Sequence, residues 1–61
     1  MKPECKLLGE NGNIFNLAGI TARCLRRAGL RDEAKEFAEK IVECNSYEEA
    51  LQLIMEYVEV Q

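Results

Sequence analysis

Residues 7–20, "LLGENGNIFNLAGI", carry two signals that decide the fold predicted for this chain of 61 residues. The first is Asn11-Gly12 between apolar residues. This pair is the strongest short-range indication of a β-hairpin, because both residues tolerate the positive φ angles of a type I′ turn. The second is Asn16, whose side chain can cap the first turn of a helix. The stretch therefore predicts a hairpin whose second strand ends where the first helix begins.

The predicted hairpin carries apolar side chains on both faces. In this register Leu8 lies opposite Phe15 on one face, and Leu7 and Ile14 lie on the other. A hairpin with one wetted face would alternate apolar with polar residues. We therefore expect one face to cover the helices and the other to contact something outside the monomer.

Helical spacing of apolar residues predicts a first helix from Leu17 to Ala28. Gly29 suits the left-handed position after that helix, with Leu30 completing a Schellman closure. Gly19 costs about 1 kcal/mol relative to alanine inside a helix, and a close approach of the sheet would explain its presence.

Two further helices follow. The second is predicted to start near Asp32-Glu33, acids suited to the positive end of the helix dipole, and to stop around Cys44 with Asn45 as a left-handed terminator. The third opens with a capping box, in which Ser46 is the N-cap and Glu49 is the third helical residue.

The β-branched ending Val58-Glu59-Val60 predicts a short third strand. A two-stranded hairpin alone is marginal, so we expect this strand to pair alongside residues 5–8 and to make the first strand central. The predicted fold is a single α+β domain spanning residues 1–61, ordered ββαααβ, with a short antiparallel sheet packed on three helices.

The cysteines and the absence of histidine argue against a metal or a cofactor. Cys5, Cys24 and Cys44 are odd in number and widely spaced, whereas a zinc site needs four close-spaced ligands. We expect three free thiols that pack as small hydrophobes, which implies a reducing compartment and hence the cytoplasm. No long apolar run predicts a signal peptide or a membrane span.

Charge is divided unevenly along the chain. Residues 1–31 contain six basic and two acidic residues, and residues 32–61 contain two basic and nine acidic residues. Such asymmetry can indicate a polar partner. The interpretation we favour is attraction between the two halves, either within one fold or across a dimer, because it requires no other molecule.

Catalysis is not predicted, so the chain is not expected to be an enzyme. The commonest general base is missing, and a cysteine nucleophile normally relies on a nearby histidine. The carboxylates of Glu36, Glu39 and Glu43 share one helix face, which is typical of a solvated surface. The opposite face is an apolar stripe predicted to face the core: Ala34, Phe37, Ala38, Ile41 and Val42.

Four arginines indicate an alternative function in binding nucleic acid. Arg23, Arg26, Arg27 and Arg31 lie on or just after the first helix, and such a cluster can contact phosphates. In a helix-turn-helix, however, the recognition helix would begin with Asp32-Glu33, whose charges repel phosphate. The sequence pI is about 4.9, whereas that of nucleic-acid-binding domains usually exceeds about 9. The simpler interpretation is a basic face neutralised by acids of the other helices.

The run "CKLLGENGNIFNLAGI", then "LRRAGL" and "SYEEALQLIMEYVEV", resembles a set of small bacterial and phage-like hypothetical proteins. The resemblance covers nearly the whole chain. It implies a small α+β fold and an origin in a mobile element, and it assigns no functional residue.

We therefore predict a non-enzymatic, cytoplasmic protein–protein interaction module, which acts as a homodimer or as an adaptor to another protein. Its sheet edge would remain available for β-pairing. The predicted contact residues are apolar positions of the hairpin and of the last strand: Leu7, Ile14, Val58 and Val60.

Overall fold

The computed structural model describes all 61 residues, with three helices between two short strands. The elements are β1 (Glu4–Cys5), α1 (Ile14–Arg27), α2 (Arg31–Ile41), α3 (Tyr47–Tyr57) and β2 (Glu59–Val60). The strands pair in parallel, with Glu4 opposite Glu59 and Cys5 opposite Val60. The predicted α+β class is confirmed. The order is βαααβ, and the predicted ββαααβ order is wrong.

The predicted hairpin is absent because the asparagines build a helix start instead. Asn13 is the N-cap of α1, and its Oδ1 accepts a hydrogen bond from the amide of Phe15 at 2.9 Å. Asn11 Oδ1 accepts from the amide of Asn13 at 2.8 Å, and Asn16 Nδ2 donates to the carbonyl of Asn11 at 2.8 Å. The N-cap therefore lies three residues before the predicted cap at Asn16, and the helix includes Ile14 and Phe15.

The chain turns three residues earlier than the Asn-Gly pair predicts, with Leu8 and Gly9 at the centre of the turn. Gly9 has a φ angle of +87°, and the amide of Glu10 donates to the carbonyl of Leu7 at 3.1 Å. Neither Asn11 nor Gly12 adopts a positive φ angle. The left-handed position that a tight turn requires is therefore supplied by Gly9.

The last residues of the chain close the small sheet. The amide of Glu59 donates to the carbonyl of Pro3, and the amide of Gln61 donates to the carbonyl of Cys5, both at 2.8 Å. The carbonyl of Gln61 accepts from both amides of residues 7–8. Pairing of the two chain ends was predicted correctly. The antiparallel direction and the central first strand were wrong, because residues 14–15 are helical and three helices return the chain in the original direction.

The end of α1 is the Schellman motif predicted from Gly29 and Leu30. Gly29 has a φ angle of +80°, and its amide donates to the carbonyl of Arg26 at 3.0 Å. The amide of Leu30 donates to the carbonyl of Leu25 at 2.9 Å. These bonds satisfy carbonyls that would otherwise be free at the helix end, so the next helix starts at once.

The start of α3 is also as predicted, whereas the end of α2 is not. Ser46 Oγ accepts from the amide of Glu49 at 3.1 Å, which confirms the N-cap. The second helix ends at Ile41, before the predicted Cys44, and Asn45 has no positive φ angle. Residues 42–46 therefore form a turn between α2 and α3 without a left-handed residue.

The core lies where the three helices meet the strands. Its fully or nearly buried members are Cys5, Leu7, Leu17, Leu25, Ala34, Phe37, Ile54 and Val58. Phe37 contacts the edge of Tyr57 with ring centroids 5.4 Å apart. The buried hydroxyl of Thr21 donates to the carbonyl of Leu17 at 2.8 Å, and no buried side-chain polar atom lacks a partner.

A disulfide joins β1 to α1. Cys5 and Cys24 are bonded, with their Cα atoms 5.9 Å apart, and Cys44 is the one free thiol. The prediction of three free thiols is therefore wrong: β1 packs against α1, which brings together two cysteines that are 19 positions apart in the sequence. The inference of a cytoplasmic location loses its basis, because it required reduced cysteines.

Substitution of Gly19 by alanine is expected to stabilise the protein. A Cβ atom at this exposed position would meet no atom within 4 Å, so the predicted close approach of the sheet is wrong. Gly19→Ala should raise the free energy of unfolding by about 0.5–1 kcal/mol through helix propensity and a less flexible unfolded chain.

The measurement is urea unfolding followed by circular dichroism. Gly29→Ala is the matched control, because its φ angle of +80° strains any side chain. The free energy of unfolding of that control should fall by about 1 kcal/mol or more. An unchanged or lowered stability of Gly19→Ala would contradict the open environment described for Gly19.

Candidate protein-docking groove

An apolar groove of about 550 Å³ opens where the start of α1 meets the turn between α2 and α3. Eight of its ten lining residues are hydrophobic. The groove, called the docking groove below, is lined by Ile14, Phe15, Ala18, Ile41, Val42, Cys44, Asn45, Ser46, Tyr47 and Ala50.

Three large apolar side chains around the docking groove are exposed to solvent. Phe15 is 82% exposed, Val42 is 77% exposed and Tyr47 is 48% exposed. Phe15 lies two residues after the N-cap of α1 and faces away from the core, and Val42 is the first residue after α2. Single exposed hydrophobic residues are ordinary, but three around one concave surface form a contiguous apolar patch.

One wall of the docking groove is fixed by a contact between distant parts of the chain. The hydroxyl of Tyr47 donates to the carbonyl of Gly12 at 2.5 Å. This bond joins the first residue of α3 to the loop that precedes α1. It holds the side chain of Tyr47, which lines the groove, against that loop, so the concave shape exists before any partner binds.

A second apolar groove, of about 380 Å³, lies between the loop 7–12 and α3. Leu8 and Met55, two of its lining residues, are 70% and 50% exposed. Gly12 lines this groove and Tyr47 lines the docking groove, so their hydrogen bond lies between the two surfaces. This end of the molecule therefore presents two apolar surfaces side by side.

The structure separates the four contact residues predicted from the sequence. Leu7 and Val58 are 7% and 1% exposed and belong to the core, so their assignment to a contact surface is wrong. Val60 is half-buried in β2, and only Ile14 lines the docking groove. The physical reason is the missing hairpin, whose outer face does not exist.

The arginine cluster lies at the opposite end of the α1–α2 pair from the docking groove. Arg23, Arg26, Arg27 and Arg31 are all exposed. None of them has a carboxylate within 4 Å; the one ion pair of the molecule joins Lys40 to Glu36. No direct ion pair with acids of the other helices therefore neutralises this basic face within the monomer.

A polar cluster joins α2 to α3 on another side. The hydroxyl of Tyr57 donates to Glu36, and Lys40 Nζ lies 3.8 Å from Glu36 and 5.9 Å from the centroid of the Tyr57 ring. Desolvation, followed by the hydrogen bond to Glu36, raises the pKa of Tyr57. A hydrogen bond between Lys40 and Tyr57, followed by the negative charge of Glu36, raises the pKa of Lys40. At neutral pH the phenol and the ammonium group therefore keep their protons.

Cys44 lines the docking groove as a half-buried thiol. Partial desolvation, with added repulsion from the carboxylates of Glu49 and Glu43, raises its pKa. A raised pKa lowers the thiolate fraction, and the thiolate is the reactive form. Cys44 therefore contributes apolar surface to the groove.

Two kinds of site are not seen in the structure. No group of three histidine, cysteine, aspartate or glutamate side chains is arranged to hold a metal ion. None of the three helices combines the length and the apolar composition that crossing a membrane requires.

Comparison with models of known protein families gives no match for this sequence, and comparisons with curated proteins and with solved structures give no significant match either. No functional residue therefore comes to the chain from a relative. A function is therefore proposed from the geometry of the docking groove and of the arginine cluster.

The sequence missed the three exposed residues that define the docking groove. Phe15 was assigned to a strand, and Val42 was counted in the buried stripe of α2. The one signal available was that Ile41 and Val42 are adjacent and only one of them can face the core of a helix pair.

Proposed function

We propose that the chain is a non-enzymatic protein-interaction module whose docking groove receives apolar side chains of a partner. The observation that supports it is the exposure of Phe15, Val42 and Tyr47 around one preformed concave surface. Contiguous apolar patches on small soluble domains mark interaction sites, because covering them removes apolar area from water. An aromatic ring such as Phe15 supplies much of that area.

The shape of the docking groove favours a compact apolar element, such as one face of a helix. The walls are helices α1 and α3, and the floor includes the half-buried Ile14, Ala18 and Ile41. Amphipathic helices bind such grooves through apolar anchors spaced three or four residues apart. The partner is thus a protein, either another copy of this chain or a different one.

Site-specific crosslinking followed by titration tests this function. A photoreactive amino acid at position 42 is expected to crosslink a defined protein in cells of the native host, and the same probe at Lys35, exposed on α2, should not. The captured protein is then purified and titrated. Val42→Asp should raise its dissociation constant at least about tenfold, since it places a charge in an apolar interface.

Met55→Asp is the matched control for this titration. Met55 is also an exposed apolar residue, but it lies in the second groove. This variant should bind the partner as the wild type does. Equal crosslinking from positions 42 and 35, or an unchanged affinity of Val42→Asp, would exclude the docking groove as the binding site.

A second candidate function is binding to nucleic acid, because Arg23, Arg26, Arg27 and Arg31 are exposed and unpaired. Phosphate contacts by arginine give salt-dependent affinity. The acids Asp32 and Glu33 adjoin Arg31 and weaken that attraction. A duplex DNA that shows no mobility shift with the protein at low salt would exclude this function.

A further inference from the structure

We infer that a second copy of this chain binds through antiparallel packing of α1 against α1. This inference goes beyond the proposed function, because the contact uses the exposed side of α1 and shares only Phe15 with the docking groove. It is carried by three features of the exposed side of α1: an unpaired aromatic ring, unpaired arginines, and small residues between them.

The exposed side of α1 presents these residues along one line. Phe15, Gly19, Ala22 and Arg26 follow one another at spacings of four, three and four residues, which places them on one face of a helix. The opposite face is buried through Leu17, Thr21 and Leu25. Phe15, Gly19 and Arg26 of the first set are exposed, and Ala22 is half-buried at the edge of the core.

This line is self-complementary under a two-fold axis. An axis that crosses α1 midway between Gly19 and Ala22 places Gly19 against the partner's Ala22, and Phe15 against the partner's Arg26. Each contact occurs twice, as an isologous interface requires. An arginine over the face of an aromatic ring is favourable, and the arginine stem covers apolar surface as well.

The small residues permit the helices to approach closely at the axis. A Cβ atom at Gly19 would have no neighbour within 4 Å, and Ala22 presents only a methyl group. Close approach brings the flanking pairs of ring and guanidinium into contact, and antiparallel helix dipoles add a small attraction. In the dimer, α1 of the second copy would therefore pack directly against Gly19, which has no neighbour in the monomer.

Charge at the two ends of α1 is complementary in the same arrangement. The carboxyl end carries Arg27, with Arg31 just beyond it, and neither has a partner in the monomer. The amino end adjoins Glu10, and the bond from Tyr47 to Gly12 brings the first turn of α3, with Glu48, to the same end. An antiparallel pair places each basic end over the acidic end of the other copy, which is the attraction across a dimer that the charge division predicted.

The interface is small, so the dimer is expected to be weak. One exposed helix face with its flanks offers less than the roughly 800 Å² per partner of a standard interface. We therefore expect a dissociation constant in the micromolar range or above. Phe15 also lines the docking groove, so dimerisation would cover one wall of that groove.

Sedimentation equilibrium over a wide concentration range tests the dimer. Arg26→Glu should raise the dissociation constant at least about tenfold, because it removes two symmetry-related contacts. Lys35→Glu is the matched control, since it makes the same change of charge at an exposed position on α2. This control should dimerise as the wild type does.

The register is tested by disulfide crosslinking in a Cys44→Ser background. Under mild oxidation, a mixture of Gly19→Cys and Ala22→Cys chains should form more mixed dimer than either variant forms alone. A mixture of Gly19→Cys with Lys35→Cys should give no excess of mixed dimer. An equal yield from the two mixtures would overturn the antiparallel register.

The outcomes separate this inference from the proposed function. A chain that stays monomeric at the highest soluble concentration overturns the dimer. If Val42→Asp nevertheless weakens the binding of a purified foreign partner, the docking groove is still supported as the binding site. A monomer whose arginines instead bind duplex DNA in a salt-sensitive manner, lost in Arg26→Glu, would also overturn the dimer and assign this face to nucleic acid.

Discussion

A chain that lacks residues 58–61 is expected to be largely unfolded at room temperature. Val58 is 1% exposed and fills the core between α3 and the strands. The deletion also removes the amides and the carbonyl that pair β2 and Gln61 with residues 3–8. Without them Cys5 and Leu7, both buried, lose the layer that covers them.

The expected loss is large compared with the stability of so small a domain. Burial of one valine contributes about 1.5–3 kcal/mol, and each net hydrogen bond adds about 0.5–1.5 kcal/mol. Domains of this length bury only about 60% of their unfolded surface and have stabilities at the low end of the usual range of about 5–15 kcal/mol. A loss of about 4 kcal/mol or more would therefore leave little or no folded protein.

The measurement is thermal unfolding followed by circular dichroism on the full and truncated chains. Glu59→Ala is the control, because its side chain is exposed and its backbone bonds remain. That variant should melt near the wild type. If the truncated chain melts at the same temperature as the full chain, the closing strand contributes nothing and the described core is incorrect.

The sequence predicted the helices better than the sheet because helix signals are local. The Schellman closure at Gly29 and the cap at Ser46 each depend on residues within one turn, and both formed as expected. Asn11-Gly12 is a local signal too, but Asn13 signals a helix start in the same stretch. Asn13 caps α1, and Ile14 and Phe15 are therefore helical instead of belonging to the predicted strand.

The pairing of the two chain ends was predicted, but the direction of that pairing and the docking groove were not accessible from the sequence. The parallel direction of the strands follows from how three helices pack, and nothing near β1 or β2 encodes it. The docking groove likewise forms only when the turn after Ile41 reaches the start of α1. Phe15 lies on an apolar face of the predicted hairpin and Val42 on the apolar stripe of α2, and both patterns predict burial. In the structure both side chains are exposed beside the docking groove.

The disulfide between Cys5 and Cys24 is expected to contribute about 3 kcal/mol to the free energy of unfolding. It closes a loop of about 20 residues, and the loss of entropy in the unfolded chain for such a loop accounts for that value. It also joins β1 to α1, the same strand that β2 closes, so reduction and truncation weaken one region of the molecule.

Urea unfolding with and without a phosphine reductant measures this contribution. The reduced protein and the Cys5→Ala/Cys24→Ala double variant should both unfold at a lower urea concentration than the oxidised wild type. Cys44→Ser is the control, since Cys44 is a free thiol outside the core, and it should respond to reductant as the wild type does.

Equal urea midpoints for the oxidised and reduced protein would contradict the stabilisation expected from this bond. The measurement also bears on the compartment in which the protein folds. If reduction lowers the free energy of unfolding by about 3 kcal/mol, little stability remains in so small a domain. Such a chain is folded mainly in compartments where disulfides persist. A chain that keeps its fold with both thiols reduced is compatible with the cytoplasmic location first expected for it.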